Sequence, residues 1–227
     1  MLLVAALQSP PMDSLTPSRR AVCPACLRAQ SACICRWIVP LAGRVELLVL
    51  QHPLEVRNAK NSARLLHLSL AGSRLEVGET FDAAALDALL FADGRMPLLL
   101  YPDTSSSDAS LGIAAPPLLP SAMLADPARL RLVLLDATWR KSRKMLYLNP
   151  ALQRLPRLAL IDVPPSAYRI RKAHAPHQLS SLEAAIHALA QLERDPTYYR
   201  PLLEAFDGFV QQQAACIQQV TRHLNPE

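Results

Sequence analysis

The residues best equipped for chemistry lie in the stretch 132–146, LVLLDATWRKSRKML. Leu132, Val133, Leu134 and Leu135 form a short apolar run that suits a buried strand, although a buried helical piece looks the same at this length. Asp136 and Thr138 put a carboxylate and a hydroxyl where that strand should end. Open α/β sheets bind their ligands outside the carboxyl ends of the strands. A carboxylate there can accept or orient a proton on a nucleophile. Trp139 follows, and can stack on a base or fill a core. Arg140, Lys141, Arg143 and Lys144 make the next helix basic, which points to an anionic ligand or partner. The plainer reading of the same residues is a helix N-cap followed by a solvated face.

The second group is sulfur. Cys23, Cys26, Cys33 and Cys35 are four of the five cysteines in the chain, arranged as C-P-A-C and C-I-C. Two such pairs can present four thiolates to one ion, and four sulfurs in a tetrahedron are the usual structural zinc arrangement. A closed four-sulfur site has no open position for a substrate. It therefore predicts a structural knuckle over residues 21–40, tied down by its metal. Two disulfides or an iron–sulfur cluster are the alternatives. Arg28, Arg36 and Trp37 flank the cysteines and suit either contact with nucleic acid or a cover for the knuckle.

Other candidates sit in loops. His52 and Asn58 follow the apolar run 45–50, where a βα loop would face a ligand, and a cap or packing role suits His52 equally. Ser105, Ser106 and Ser107 follow the apolar run 97–101. Small hydroxyl residues there can offer side-chain and backbone donors to a polar ligand, or form a plain loop. The loop lacks the glycines and lysine of a Walker motif, and no G-x-G-x-x-G occurs in the chain. HExxH is also absent, and no Ser-His-Asp order can be argued from spacing.

These residues need elements to hold them. Short apolar strands are predicted at 45–50, 97–101, 132–135 and 158–161, and segment 76–80 is too short to assign. Helices are predicted at 57–70, 82–90, 139–146, 180–192 and 197–220. Ser180 and Glu183 have capping-box spacing, and Pro53 should stop the first strand. The alternation predicts an α/β fold, a mostly parallel sheet flanked by helices. The chain divides into a poorly ordered 1–20, the cysteine segment 21–40 and an α/β domain over 41–222. With 227 residues and 51% apolar content, there is enough for a sizeable core. No apolar run is long enough for a membrane span. Residues 1–8 lack a basic start, so a cytoplasmic location is expected. Net charge is +5, and it is unevenly placed. Residues 131–178 hold ten Lys or Arg against Asp136 and Asp162, a local balance of +8, which leaves −3 elsewhere. A polyanion drawn to that segment would be held through its phosphates.

The run Leu135-Asp136-Ala137-Thr138-Trp139, followed by Arg140 and Arg143-Lys144-Met145, resembles the signature of the DTW-domain family. Several further pieces occur in the family's order. They are Cys23-Pro24-x-Cys26 with Cys33-x-Cys35, His52-Pro53 with Glu55, and Asn61 with Ala63-Arg64-Leu65. Tyr101-Pro102, Tyr168-Arg169-x-Arg171-Lys172 and Ser181-x-Glu183-Ala184 complete the set. Ala137 stands where glycine is frequent, Lys141 and Ser142 where Gln-Ala is common, and Ser181 where threonine is usual. The family comprises tRNA-uridine aminocarboxypropyltransferases related to SPOUT methyltransferases. The resemblance implies a SPOUT-like fold with a C-terminal knot. It implies S-adenosylmethionine as co-substrate, N3 of a uridine in the tRNA variable loop as acceptor, and methylthioadenosine as leaving group. Asp136 and Thr138 become the catalytic candidates, with Asp136 assisting loss of the uridine proton or orienting the base. Ser105, Ser106, Ser107, Leu135, Trp139 and His52 become candidates for the donor cleft. Arg140, Arg143, Lys144, Arg169, Arg171 and Lys172 become candidates for the tRNA backbone. A SPOUT-like RNA methyltransferase and a non-catalytic RNA-binding zinc protein are the rival readings, and the sequence leaves the oligomeric state open.

Overall fold

A computed structural model describes residues 21–103, 112–161, 163–166 and 179–224. The chain builds five strands: β1 (Glu46–Gln51), β2 (Arg74–Val77), β3 (Met96–Leu100), β4 (Leu130–Asp136) and β5 (Arg157–Leu158). All neighbouring strands pair in parallel, in the order β2-β1-β4-β3-β5. The α-helices are α1 (Ala63–Ser69), α2 (Ala83–Phe91), α3 (Trp139–Leu148), α4 (Pro150–Gln153), α5 (Ser181–Glu193) and α6 (Arg200–Leu224). Among the described residues, no helix is long and apolar enough to cross a membrane.

Strand β4 lies at the centre, and all seven of its residues are buried. Side chains alternate across a strand, so the sheet feeds two separate cores. Leu47, Val49, Leu98, Leu132 and Leu134 face a core that includes residues of α1, α5 and α6 and the cysteine segment. Leu48, Leu50, Leu99, Val133 and Leu135 face another, which includes residues of α2, α3 and α4. Cover on both faces explains the near-continuous apolar strands.

The local signals in the sequence act much as read. Strand β1 stops at Gln51, and Pro53 opens a 3-10 turn, Pro53–Glu55. Asp82 caps α2 by accepting from Ala85 N–H, and Ser180 with Glu183 forms a reciprocal capping box on α5. The strand expected at 158–161 is only Arg157–Leu158, and two further differences have physical causes. The helix predicted over 57–70 shortens to Ala63–Ser69, because the 3-10 turn and an Asn-rich loop take up residues 53–62. Only Glu76 and Val77 of the segment 76–80 belong to a strand, an edge strand that begins earlier, at Arg74, and pairing with β1 defines it.

The two ends of the sheet differ in chemistry. At the amino end, Arg131 is fully buried in β4 and bonds to Glu46 at 2.9 Å and to the carbonyls of Leu89 and Leu90. Arg74 and Arg95 also pair with Glu46, each at 3.1 Å. The carboxyl end collects the candidate site. The passage from β5 to α5, where a knot would be threaded, crosses residues outside the described set. So do residues 1–20.

Candidate active site and metal centre

Asp136 closes β4, and strand register places Gln51 of β1 directly beside it. Its backbone carbonyl accepts from His52 N–H at 3.0 Å. Its side chain is only 3% exposed and meets three donors. Gln51 Nε2 lies 2.8 Å and Asn61 Nδ2 2.6 Å from Oδ2. Ser181 Oγ, delivered by the first turn of α5, lies 2.6 Å from Oδ1. An ionised carboxylate offers about four lone-pair positions, so three of them are taken. Asp136 thus joins β1, β4, the loop before α1 and the start of α5. It is almost closed to solvent and borders only a small space.

Two spaces meet at this junction. The larger, about 530 Å³, opens at the carboxyl ends of β3, β4 and β5. Leu100, Leu134, Leu135 and Leu158 make its walls apolar. Tyr101 and Trp139 meet edge to face there, with centroids 5.5 Å apart, and Trp139 is 48% exposed. Arg157 stacks over Tyr101 at 5.2 Å and bonds to the carbonyl of Pro102, which fixes that wall. Small-molecule sites commonly have this size and apolar lining. The smaller space, about 70 Å³, is polar and includes Glu55, Lys60, Asn61 and Asp136. Ala137 and Ser181 line both spaces.

The other predicted site residues fall in different places. Leu135 and Trp139 line the large cavity. Thr138 is the N-cap residue of α3, yet its hydroxyl makes no capping hydrogen bond. His52 fills the cap role left open for it. Its Nδ1 accepts from Leu54 N–H at 3.1 Å, and its Nε2 lies 3.1 Å from Glu79. His52 lines neither space. On α3, Arg140 is exposed and Arg143 half-buried. Lys141 pairs with Glu55 at 3.0 Å, and Lys144 with Glu79 at 2.9 Å. Lys144, and after it His52, hold the Glu79 carboxyl below its usual range. Ser105, Ser106, Ser107, Arg169, Arg171 and Lys172 lie outside the described residues. Three residues at the junction were not singled out as site candidates: Gln51, Asn61 and Ser181. Asn61 and Ser181 each stood inside a motif piece, which was their signal. Gln51 had none, since only strand register brings it to Asp136.

The four cysteine sulfurs lie within 4.8 Å of one another, with Cys23 to Cys35 at 3.6 Å and Cys26 to Cys33 at 3.8 Å. All are free thiols, well beyond the ~2.05 Å of a disulfide bond. A tetrahedron with zinc–sulfur arms of ~2.3 Å has edges of about 3.8 Å, so the sulfurs fit one tetrahedral ion. A multi-iron cluster would spread them over several metal atoms. Backbone N–H groups of Cys26 and Ala25 bring the Cys23 thiol down to about 6. Burial, together with the neighbouring thiols, pushes Cys35 up to about 12.

The knuckle is fastened to the carboxyl end of the sheet. Arg28 donates to the carbonyls of Ala59 and Asn61, and Arg64 donates to that of Ala25. Arg28 also stacks over Phe209 of α6 at 5.0 Å, while Arg36 stacks on Trp37 at 4.7 Å. Trp37 Nε1 bonds to Gln212, which bonds in turn to the carbonyl of Cys33. These contacts are those of a cover, while Arg36 itself remains exposed.

Comparison with known proteins adds what geometry alone does not. The profile of the DTW domain matches residues 20–214. This chain belongs to the DTW-domain family. Among the relatives of this DTW-domain chain is tRNA-uridine aminocarboxypropyltransferase 2 of Drosophila melanogaster. It is 34% identical over 198 residues, covering 82% of this chain and 74% of the relative. The Mus musculus protein of the same name is 29% identical over 216 residues, covering 91% and 69%. tRNA-uridine aminocarboxypropyltransferase A of Arabidopsis thaliana is 28% identical over 137 residues, covering 56% and 50%. No solved structure matches this DTW-domain chain.

Proposed function

We propose that this protein transfers the 3-amino-3-carboxypropyl group of S-adenosylmethionine to N3 of a uridine in tRNA. Methylthioadenosine is released, and the variable loop is the region modified. The names of the relatives support the reaction class. The observation that carries the reading is the large apolar cavity joined to a buried polar recess, with Ser181 on both and Asp136 behind it.

The adenosine end of the donor suits the apolar cavity, with its rings against Trp139 and Tyr101. A sulfonium activates its γ-carbon as well as its methyl, so position must select between them. The N3–H of uridine must lose its proton for nitrogen to attack. Ser181 is placed to pass that proton on. Its hydroxyl already donates to Asp136 Oδ1 at 2.6 Å, so its oxygen can accept from N3 as its own proton moves to the carboxylate. The new bond joins N3 to the γ-carbon. The γ-carbon to sulfur bond breaks, and its electron pair stays on the departing thioether. Asp136 acts from behind Ser181, held by the amides of Gln51 and Asn61.

The tRNA backbone is assigned to Arg140, Arg143, Lys144, Arg169, Arg171 and Lys172, which would hold phosphates and carry no sequence information. Lys144 would have to exchange Glu79 for a phosphate. One zinc ion on Cys23, Cys26, Cys33 and Cys35 would supply a cross-link and no reactive position. The SPOUT-like knot belongs to this reading as well, since a parallel sheet with a cleft at its carboxyl end is the frame it needs.

The test is transfer to tRNA from donor labelled either in the methyl or in the carboxypropyl carbons, with nucleoside mass spectrometry of the product. Carboxypropyl label in RNA supports the reading. Methyl label would make the protein a methyltransferase, and no label in either case would leave an RNA-binding zinc protein.

A further inference from the structure

The small recess has a chemistry of its own. Glu55, Asn61, Ser62 and Asp136 each expose less than a tenth of their surface, so it is built into the fold. Asn58 and Lys60 complete it from the loop before α1. Its ~70 Å³ exceeds the ~30 Å³ that one water takes up in the liquid, so it admits a small polar group. An α-amino acid head, with one nitrogen, one carbon and a carboxylate, fits that space.

The charges complement a donor of one kind. The recess presents two carboxylates, Glu55 and Asp136, and one ammonium, Lys60. S-adenosylmethionine carries the inverse set: a sulfonium, an α-ammonium and one carboxylate. We infer that the recess seats the amino-acid head of the donor, with Glu55 facing its α-ammonium and Lys60 its α-carboxylate. Asn58 steadies Glu55 through a bond of 2.8 Å to Oε2, while Lys141 holds the other oxygen. This inference rests on the reaction proposed above, and it supplies what that reaction lacks. With adenosine in the large cavity and the head in the recess, the sulfonium lies at the shared wall of Ala137 and Ser181. The γ-carbon is then stretched across that wall beside the Ser181 hydroxyl. Both ends of the donor are pinned, and the selection of γ-carbon over methyl follows from where the pins are.

Calorimetric titration of the full-length protein tests this. The probes are S-adenosylmethionine, methylthioadenosine, which has no amino-acid head, and decarboxylated S-adenosylmethionine, which has no carboxylate. Lys60→Met and Glu55→Gln should each weaken S-adenosylmethionine by about tenfold or more, the effect of losing one charged hydrogen bond. Methylthioadenosine should bind all three proteins alike, which also reports that the variants are folded. Decarboxylated donor should bind the parent protein weakly and be indifferent to Lys60→Met. Equal weakening of all three probes, or of none, would overturn the seating of the head while leaving the reaction standing. Failure of the parent protein to bind either S-adenosylmethionine or methylthioadenosine would overturn both.

Discussion

At the scale of single residues, Asp136 is better described as a junction than as an exposed base. Replacing it with alanine strands the amides of Gln51 and Asn61 and the hydroxyl of Ser181. Unsatisfied buried donors are costly, so Asp136→Ala should lower unfolding free energy by about 3 kcal/mol in a denaturant titration. It should also abolish transfer in the labelled assay, while tRNA affinity in a filter-binding measurement stays within a few fold. Near-normal turnover would remove Asp136 from the mechanism. Ser181 gives a cleaner separation. Ser181→Ala should cut the single-turnover rate by about 10–100-fold, the range expected for a bond to a charged group, with little change in melting temperature. Ser181→Thr restores the hydroxyl and should restore most of the rate. Asp136 was legible in the sequence because a polar residue ended an apolar run. Ser181 was half legible, as a member of a motif with no assigned role. Gln51 was not legible at all. Its place depends on pairing between segments 85 residues apart, and no local pattern encodes that register.

At the scale of elements, the helices and strands were readable wherever a stop or start signal was local: Pro53, Asp82, and Ser180 with Glu183. The docking of the knuckle on α6 was not readable, since it is a matter of shape between distant segments. It can be tested through Gly208. A Cβ there would lie 2.2 Å from the Trp37 ring. Alanine normally stabilises a helix relative to glycine by about 1 kcal/mol. Here the sign should reverse, because overpacking typically costs about 1–3 kcal/mol. Gly208→Ala should therefore lower the melting temperature, and Trp37 fluorescence should shift as the ring leaves its place. Acid should act through other helices. Burial, aided by Arg64, holds His67 of α1 below its usual range, and burial does the same for His187 of α5 against the pull of Glu183. A histidine that resists protonation when folded lets the unfolded chain bind more protons. Stability should then fall as pH drops below the unfolded value of about 6.5. Melting curves between neutral and mildly acidic pH should show this slope, and it should flatten in the double variant His67→Gln, His187→Gln.

At the scale of the whole molecule, the cysteine knuckle, the carboxyl end of the sheet and α6 form one connected structure. Arg28 links the knuckle to the Asn61 loop, and Trp37 links it to α6. Removing the metal with a chelator should therefore do more than loosen residues 21–40. A loss of about 3 kcal/mol would lower the melting temperature by roughly 6–12 °C in a chain of this size. Readdition of zinc should reverse it. An unchanged melting temperature after metal removal, verified by elemental analysis, would count against a structural ion. The link from Trp37 to Gln212 also has a meaning in time. The two residues are 175 positions apart. At ~5–20 residues per second, a ribosome needs about 10–35 s to deliver α6 after it has delivered the cysteines. For that interval the thiols exist without their cover, open to oxidation or to a wrong metal.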